Sequence, residues 1–144
     1  MINAKDQVRA LLKSIRQDAQ RYDELNQLLS QQREAMLTCN TKKLADINEL
    51  LMAHYQQLQE ASSRRRATLK QLNLPTDSRG MTALLKKLPP LLSTQAQHWW
   101  QYLEQRARHC QKVNEQNGTL LATQREVMQS VSAQSDAGSF LYKA

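Results

Sequence analysis

Residues 8–36, VRALLKSIRQDAQRYDELNQLLSQQREAM, carry the repeat that decides the fold. The repeat positions alternate by three and four residues without a break, and seven of the nine are apolar. This is the seam pattern of a coiled coil, in which a narrow apolar stripe must be buried against other helices. A helix over 4–38 is about 50 Å long at about 1.5 Å per residue. The repeat positions are Val8, Leu11, Ile15, Asp18, Tyr22, Leu25, Leu29, Gln32 and Met36.

The rest of the chain predicts three further helices and a flexible tail. The seam spacing resumes after a polar break at Asn40 and Thr41, either of which can cap a second helix. Pro75 ends that helix, because the residue before a proline is pushed out of the α region. Pro89 and Pro90 separate a short third helix from a long fourth one, since proline is tolerated in a first helical turn. The predicted helices span 4–38, 41–73, 78–88 and 90–132, and the tail spans 133–144.

These elements predict an all-α fold in a single domain over residues 1–144. The short first connection makes the first two long helices antiparallel neighbours. We therefore expect an antiparallel, coiled-coil-like bundle of three long helices, with the short helix in the second connection covering one end. No helix can bury its seam alone, and each buried leucine contributes about 1.5–3 kcal/mol. Because a fourth long helix is missing, the bundle either closes as three helices or leaves a groove for a partner.

Asn117 and Gly118 lie inside the predicted last helix, although Asn-Gly is typical of a hairpin turn. The apolar rhythm continues through the pair at Val113, Leu120 and Val127. A glycine inside a helix costs roughly 1 kcal/mol relative to alanine. The pattern therefore predicts that another helix, or a bound peptide, passes close over Gly118.

Composition and charge narrow the class of protein. The chain has 144 residues, 5% aromatics and a formal net charge of +7. It shows no secretory signal and no apolar run near the ~20 residues of a membrane span, so we expect a soluble, intracellular protein. Basic residues are scattered, and the densest run, Arg64 to Arg66, fans around its helix by about 100° per residue. A basic coiled-coil protein that binds nucleic acid, or a structural coiled coil that self-associates into a homodimer, stays open as an alternative.

The side chains show no enzyme signature, cofactor motif or metal-ligand spacing. His98 and His109 are three helical turns apart, which is too far to share a metal on a straight helix. His54 occupies a seam position, where a core or interhelical hydrogen bond is expected. Cys39 and Cys110 have no motif spacing, so we expect reduced thiols in a cytosolic protein.

Polar amides interrupt the apolar face of the last helix at Asn114, Asn117 and Gln124. One interpretation is that they fix the register of neighbouring helices at some cost in stability. The other is a recognition face, on which amides bond a partner and Leu120 and Leu121 anchor it. The spacing does not decide between the two.

Four stretches are similar to those of a known family. Leu72-Asn73-Leu74-Pro75 closes the helix that carries the arginine run, and Trp99-Trp100 lies early in the last helix. The most specific stretch is VNEQNGTLL over residues 113–121, followed by Gln124. Leu141-Tyr142 is similar to a tail motif. On these residues the chain resembles the FlgN family of flagellar type III export chaperones.

The resemblance implies a small helical chaperone of the cytoplasm, without cofactor, that binds the C-terminal helical regions of the hook–filament junction (hook-associated) proteins. It implies that the chaperone prevents their premature assembly and delivers them to the export gate, with the export ATPase complex as a further partner. Nucleic-acid binding and membrane insertion are not implied. Tyr142 is the implied contact with the membrane component of the gate. The implied cargo contacts are Asn114, Asn117, Gly118, Leu121, Gln124 and Met128.

Overall fold

The computed structural model describes residues 3–134, which form four α-helices: α1 (Ala4–Leu37), α2 (Thr41–Gln71), α3 (Ser78–Lys86) and α4 (Pro90–Gln134). These described residues include no β-strand, so the predicted all-α class is confirmed. The predicted tail over 133–144 lies outside the described residues from 135 onward, and its first two residues continue α4.

α1 is the central helix and packs against both other long helices. α2 runs antiparallel to it, because Gln7 near the start of α1 bonds Gln71 at the end of α2. Farther along α1, Gln32 donates to Asn48 Oδ1 at 2.8 Å. α2 and α4 contact each other far less than either contacts α1. The arrangement is therefore more open than a closed three-helix bundle.

α4 runs parallel to α1, with residue numbers rising together along the pair. The thiol of Cys110 lies 3.5 Å from the carbonyl oxygen of Tyr22, and Gln124 Nε2 donates to the carbonyl oxygen of Met36 at 3.1 Å. The contact is maintained over four turns of each helix. α1 is thus flanked by an antiparallel helix on one side and a parallel helix on the other.

The buried side chains form two clusters along α1. One cluster contains Leu25, Leu29, Ile47 and Leu51, and lies where α1 meets the start of α2. The other lies at the opposite end, where α3 inserts three fully or nearly buried side chains between α1, α2 and α4. These side chains are Met81, Leu84 and Leu85. The expected role of the short helix, covering one end of the bundle, agrees with this placement.

α1 and α2 both end in residues with left-handed backbone conformation. Cys39 has a φ of 55° and Asn73 a φ of 58°. In each case the backbone N–H of the residue that follows donates back into the last turn, as Leu74 N does to Leu69 O at 2.9 Å, which is the Schellman arrangement. α2 therefore ends two residues earlier than predicted, at Gln71, because Asn73 leaves the helical region before Pro75 acts.

Candidate partner-binding face

Asn117 lies in the interface between α4 and α1, where it is 2% exposed. Its Nδ2 donates to the carbonyl oxygen of Leu29 at 2.9 Å and to Oε1 of Gln32 at 3.0 Å. Both acceptors belong to α1, so the amide is used inside the fold. This is the register role that the sequence left open against recognition.

Gln124 is half-buried two turns farther along and performs a similar task. It donates to the carbonyl oxygen of Met36, one of the last-turn carbonyls of α1 that have no partner within their own helix. Asn117 and Gln124 together fix α4 against the C-terminal third of α1. Two of the six predicted cargo residues thus have contacts within the chain.

Gly118 faces open space. A Cβ atom placed on it would meet no atom within 4 Å, and the residue is exposed. The expectation that another helix of this chain passes over Gly118 is wrong for the described residues, because α2 and α4 have little contact with each other. The alternative expectation, that a bound peptide passes close over Gly118, stays a prediction.

Three members of the predicted cargo set share this side of α4. Asn114 and Gly118 are exposed and one turn apart, and Leu121, half-buried, follows three residues later. The spacing i, i+4, i+7 places these three side-chain positions in one stripe along α4. We call the stripe of Asn114, Gly118 and Leu121 the open stripe.

α4 continues beyond its support. α1 ends at Leu37, and the last contact described above is between Met36 and Gln124. Residues 125–134 extend about 15 Å farther at about 1.5 Å per residue, and we call them the α4 extension. Met128 is 59% exposed there, with Val127 and Val131 at 56% and 42%. An apolar surface of this kind on an unsupported helix is typical of a partner site.

Val127, Val131 and the exposed Leu37 were not predicted as site residues. Their spacing places the two valines on the same seam as the packed residues of α4, so burial was the expected outcome. Only the end of α1 at Leu37 exposes them. The signal in the sequence was the length of the last helix, which exceeds that of the first.

Histidines and acidic residues do not assemble into a metal site in the described part of the chain. Among residues 3–134, no group of three or more His, Cys, Asp or Glu side chains is placed to hold a metal ion. His54 Nε2 lies 3.4 Å from a carboxylate oxygen of Glu24, while His98 and His109 are exposed and separate. The predicted interhelical contact of His54 agrees with this geometry.

The two cysteines are free and differ in environment. Cys39 is exposed at the end of α1, whereas Cys110 is buried against α1 and donates to Oδ1 of Asn26 at 3.1 Å. Burial, with a smaller effect of the negative charge of Asp23, raises the pKa of the Cys110 thiol to about 11. This thiol is therefore protonated at neutral pH.

Within the described residues, no helix is both long enough and apolar enough to cross a membrane. The described residues form a helical protein with one open face and one unsupported end of a long helix. The model of the family described as FlgN protein matches residues 1–135. The chain therefore belongs to the FlgN family, the flagellar export chaperones. Comparisons with curated proteins and with solved structures gave no match.

Proposed function

We propose that this chain is a cytoplasmic chaperone that binds the C-terminal helical regions of the hook–filament junction proteins. In this role it keeps them from assembling early and delivers them to the type III export gate. Family membership supports the general role. The observation that carries the specific one is Gly118, a glycine within a continuous helix with open space above it.

The argument from Gly118 is energetic. Glycine destabilises a helix interior by roughly 1 kcal/mol relative to alanine. A helix–helix contact within the chain would offset this cost, but no atom of the described residues occupies that space. A partner helix that approaches the α4 backbone closely would use the missing Cβ, and the exposed amide of Asn114 lies one turn away to bond it.

The bundle supports the same proposal. α1 packs against α2 in antiparallel and against α4 in parallel orientation, and α2 and α4 have little contact. A cargo helix would complete this open bundle. Asn114, Gly118 and Leu121 contact cargo along the open stripe, and Met128 contacts it on the α4 extension. Asn117 and Gln124 contribute indirectly by holding α4 in place on α1.

Delivery to the gate is assigned to the tail. Tyr142 is the proposed contact with the membrane component of the export gate; it lies outside the described residues. Tyr142→Ala should leave cargo affinity unchanged and reduce secretion of the junction proteins. A loss of cargo binding in this variant would contradict the separation of the two roles.

The test is isothermal titration of the full chain with a C-terminal fragment of a junction protein. Gly118→Leu fills the open stripe, and Thr119→Leu adds the same side chain to an exposed position about 100° around the helix. We expect Gly118→Leu to weaken binding at least tenfold, about 1.4 kcal/mol, and Thr119→Leu to leave it unchanged. Equal binding by wild type and Gly118→Leu would refute the placement of the cargo.

The same titration at low and high salt separates the proposal from nucleic-acid binding. Affinity that depends on apolar contact persists as salt rises, whereas phosphate contacts lose affinity steeply because counterions are released. Binding of the junction fragment at both salt concentrations, without binding to RNA or DNA at low salt, would support the chaperone. Binding of nucleic acid alone would refute it.

A further inference from the structure

A groove lies between α1 and the first half of α4. It has a volume of about 860 Å³ and runs along about 16 Å of both helices, which is three helical turns. α1 forms one wall and α4 the other, so the groove is open along its length. The residues that line it are Leu12, Lys13, Ile15, Arg16, Gln17, Ala19, Gln20, Asp23, Leu92, Gln95, Ala96, His98, Trp99 and Tyr102.

The floor of the groove is apolar, and some of the side chains that form it are small. Ala19 on α1 and Ala96 on α4 are buried in the lining, and their small side chains do not fill the space above them. The half-buried rings of Trp99 and Tyr102 pack edge to face, with centroids 5.9 Å apart. At the rim, Leu92 is 41% exposed. An apolar floor open to solvent along three turns is the shape that accepts an amphipathic helix.

The charge at the rim is positive. Arg16 lies over the ring of Trp99, with its guanidinium carbon 5.2 Å from the ring centroid. The carboxylate of Asp23, the acidic residue of the lining, accepts a hydrogen bond from the phenol of Tyr102 at 3.0 Å. It also forms an ion pair with Arg106 at 3.7 Å. Its charge is therefore already balanced within the fold.

The same face of α1 carries further cations. Lys5 and Arg9 precede Arg16 at i−11 and i−7, so all three lie along one stripe, and Lys13 lies beside it. All four side chains are exposed, and none forms an ion pair with any described residue. Unpaired positive charge beside an apolar floor favours an occupant with carboxylates beside its apolar anchors.

We propose that this groove binds an acidic amphipathic helix of about three turns from a partner protein. Apolar side chains at i, i+3 or i+4, and i+7 occupy the floor over Ala19 and Ala96. Carboxylates at the flanks pair with Arg16 and Lys13. The groove lies outside the cargo face, because Tyr102 and Asn114, the nearest residues of the two sites, are about 18 Å apart along α4, so both sites can be occupied at once.

A second copy is disfavoured by charge, since each chain carries a formal net charge of +7. An acidic partner is attracted for the same reason.

The test uses the full chain and a fluorescent peptide of about 18 residues, five turns, with leucines on one face and glutamates on both flanks. A scrambled peptide of the same composition keeps the charge and loses the amphipathic face. Arg16→Glu reverses one rim charge, and Leu92→Ser removes one apolar rim contact without changing charge. Lys42→Glu is the matched control, an exposed charge reversal in the first turn of α2, where a carboxylate is favourable.

We expect the amphipathic peptide to bind, with Arg16→Glu weakening it about tenfold, Leu92→Ser about fivefold and Lys42→Glu less than twofold. The scrambled peptide should bind at least tenfold more weakly, and cargo affinity should be unchanged in Arg16→Glu. Equal losses in Arg16→Glu and Lys42→Glu, equal binding of the scrambled peptide, preferential binding of RNA, or no binding of the amphipathic peptide would each overturn the proposal.

Discussion

The side-chain amide of Asn117 on α4 donates to the backbone carbonyl oxygen of Leu29 on α1 at 2.9 Å. Leu29 is fully buried, and Asn117 is 2% exposed, so the bond lies in the interior. A carbonyl oxygen has two lone pairs and can accept this bond while it serves its own helix. A buried amide costs free energy unless it is bonded, and a slip of α4 along α1 would break this bond. The bond therefore fixes the register of the two helices.

Asn117→Asp should strongly reduce stability, because it replaces the donating amide by an oxygen that faces a carbonyl. A buried polar group left without its bond costs about 1–3 kcal/mol, and more when it is charged, so we expect a loss of about 3 kcal/mol. Asn114→Asp is the matched control three residues away, exposed, and expected within about 0.5 kcal/mol of wild type. Urea unfolding measures both. Similar stabilities for the two variants would contradict the register role of Asn117.

Asn117 also shows where prediction from the sequence reaches its limit. The 3-4 repeat of α1 predicts helices well, because periodicity depends only on local spacing. The function of a polar seam residue depends on what lies opposite, and Leu29 is 88 residues away in the chain. The sequence could therefore name the amide but could not choose between register and recognition. The choice between the two roles depends on the parallel pairing of α4 with α1, which the sequence does not predict.

The end of α2 shows a second kind of limit. Pro75 was a sound signal for a helix end, yet Asn73 ends the helix first by adopting a φ of 58°. Asparagine tolerates this conformation, but nothing local requires it to do so. The burial of Leu74 beside Leu69 stabilises the turn, and that contact exists only in the folded core.

The two described glycines should respond to alanine with opposite signs. A Cβ on Gly118 meets open space, so Gly118→Ala should raise helix stability by about 1 kcal/mol. A Cβ on Gly80 would lie 1.7 Å from the carbonyl oxygen of Pro75, so Gly80→Ala must displace α3 and should cost about 2 kcal/mol or more. Thermal unfolding checks both variants. A stabilising Gly80→Ala would show that the packing of α3 on Pro75 is wrong.

If a cargo helix approaches Gly118 closely, Gly118→Ala should combine greater stability with weaker cargo binding. The variant would then unfold at a higher temperature while its affinity for the junction fragment falls. A higher unfolding temperature together with a lower affinity cannot come from damage to the fold, since damage lowers both the unfolding temperature and the affinity. Stability and affinity that rise together would contradict a close approach of cargo.

Asp18 and Arg65 form a buried ion pair between α1 and α2, and removing one partner should be costly. Burial raises the pKa of Asp18, while Arg65 opposes the rise. Asp18→Ala strands the guanidinium, with an expected loss of about 3–5 kcal/mol. Asp18→Leu combined with Arg65→Met removes both charges and should recover most of that loss. A double variant as unstable as Asp18→Ala would show that the pair itself, and not the stranded charge, carries the energy.

The two thiols should differ sharply in reactivity. Thiolate is the reactive form, and burial holds the pKa of Cys110 at about 11, so a maleimide near pH 7.5 should modify only the exposed Cys39 in the folded protein. In denaturant both should react.

The same rise in the pKa of Cys110 lowers stability at alkaline pH, because the unfolded thiol loses its proton near its ordinary pKa of 9.0 while the folded thiol keeps it up to about 11. The stabilising contribution of Cys110 is thus complete below about pH 9 and lost by about pH 11. Cys110→Ala should remove that part of the alkaline slope, whereas Cys39→Ala should leave it; rapid labelling of Cys110 in the native state would contradict its buried position.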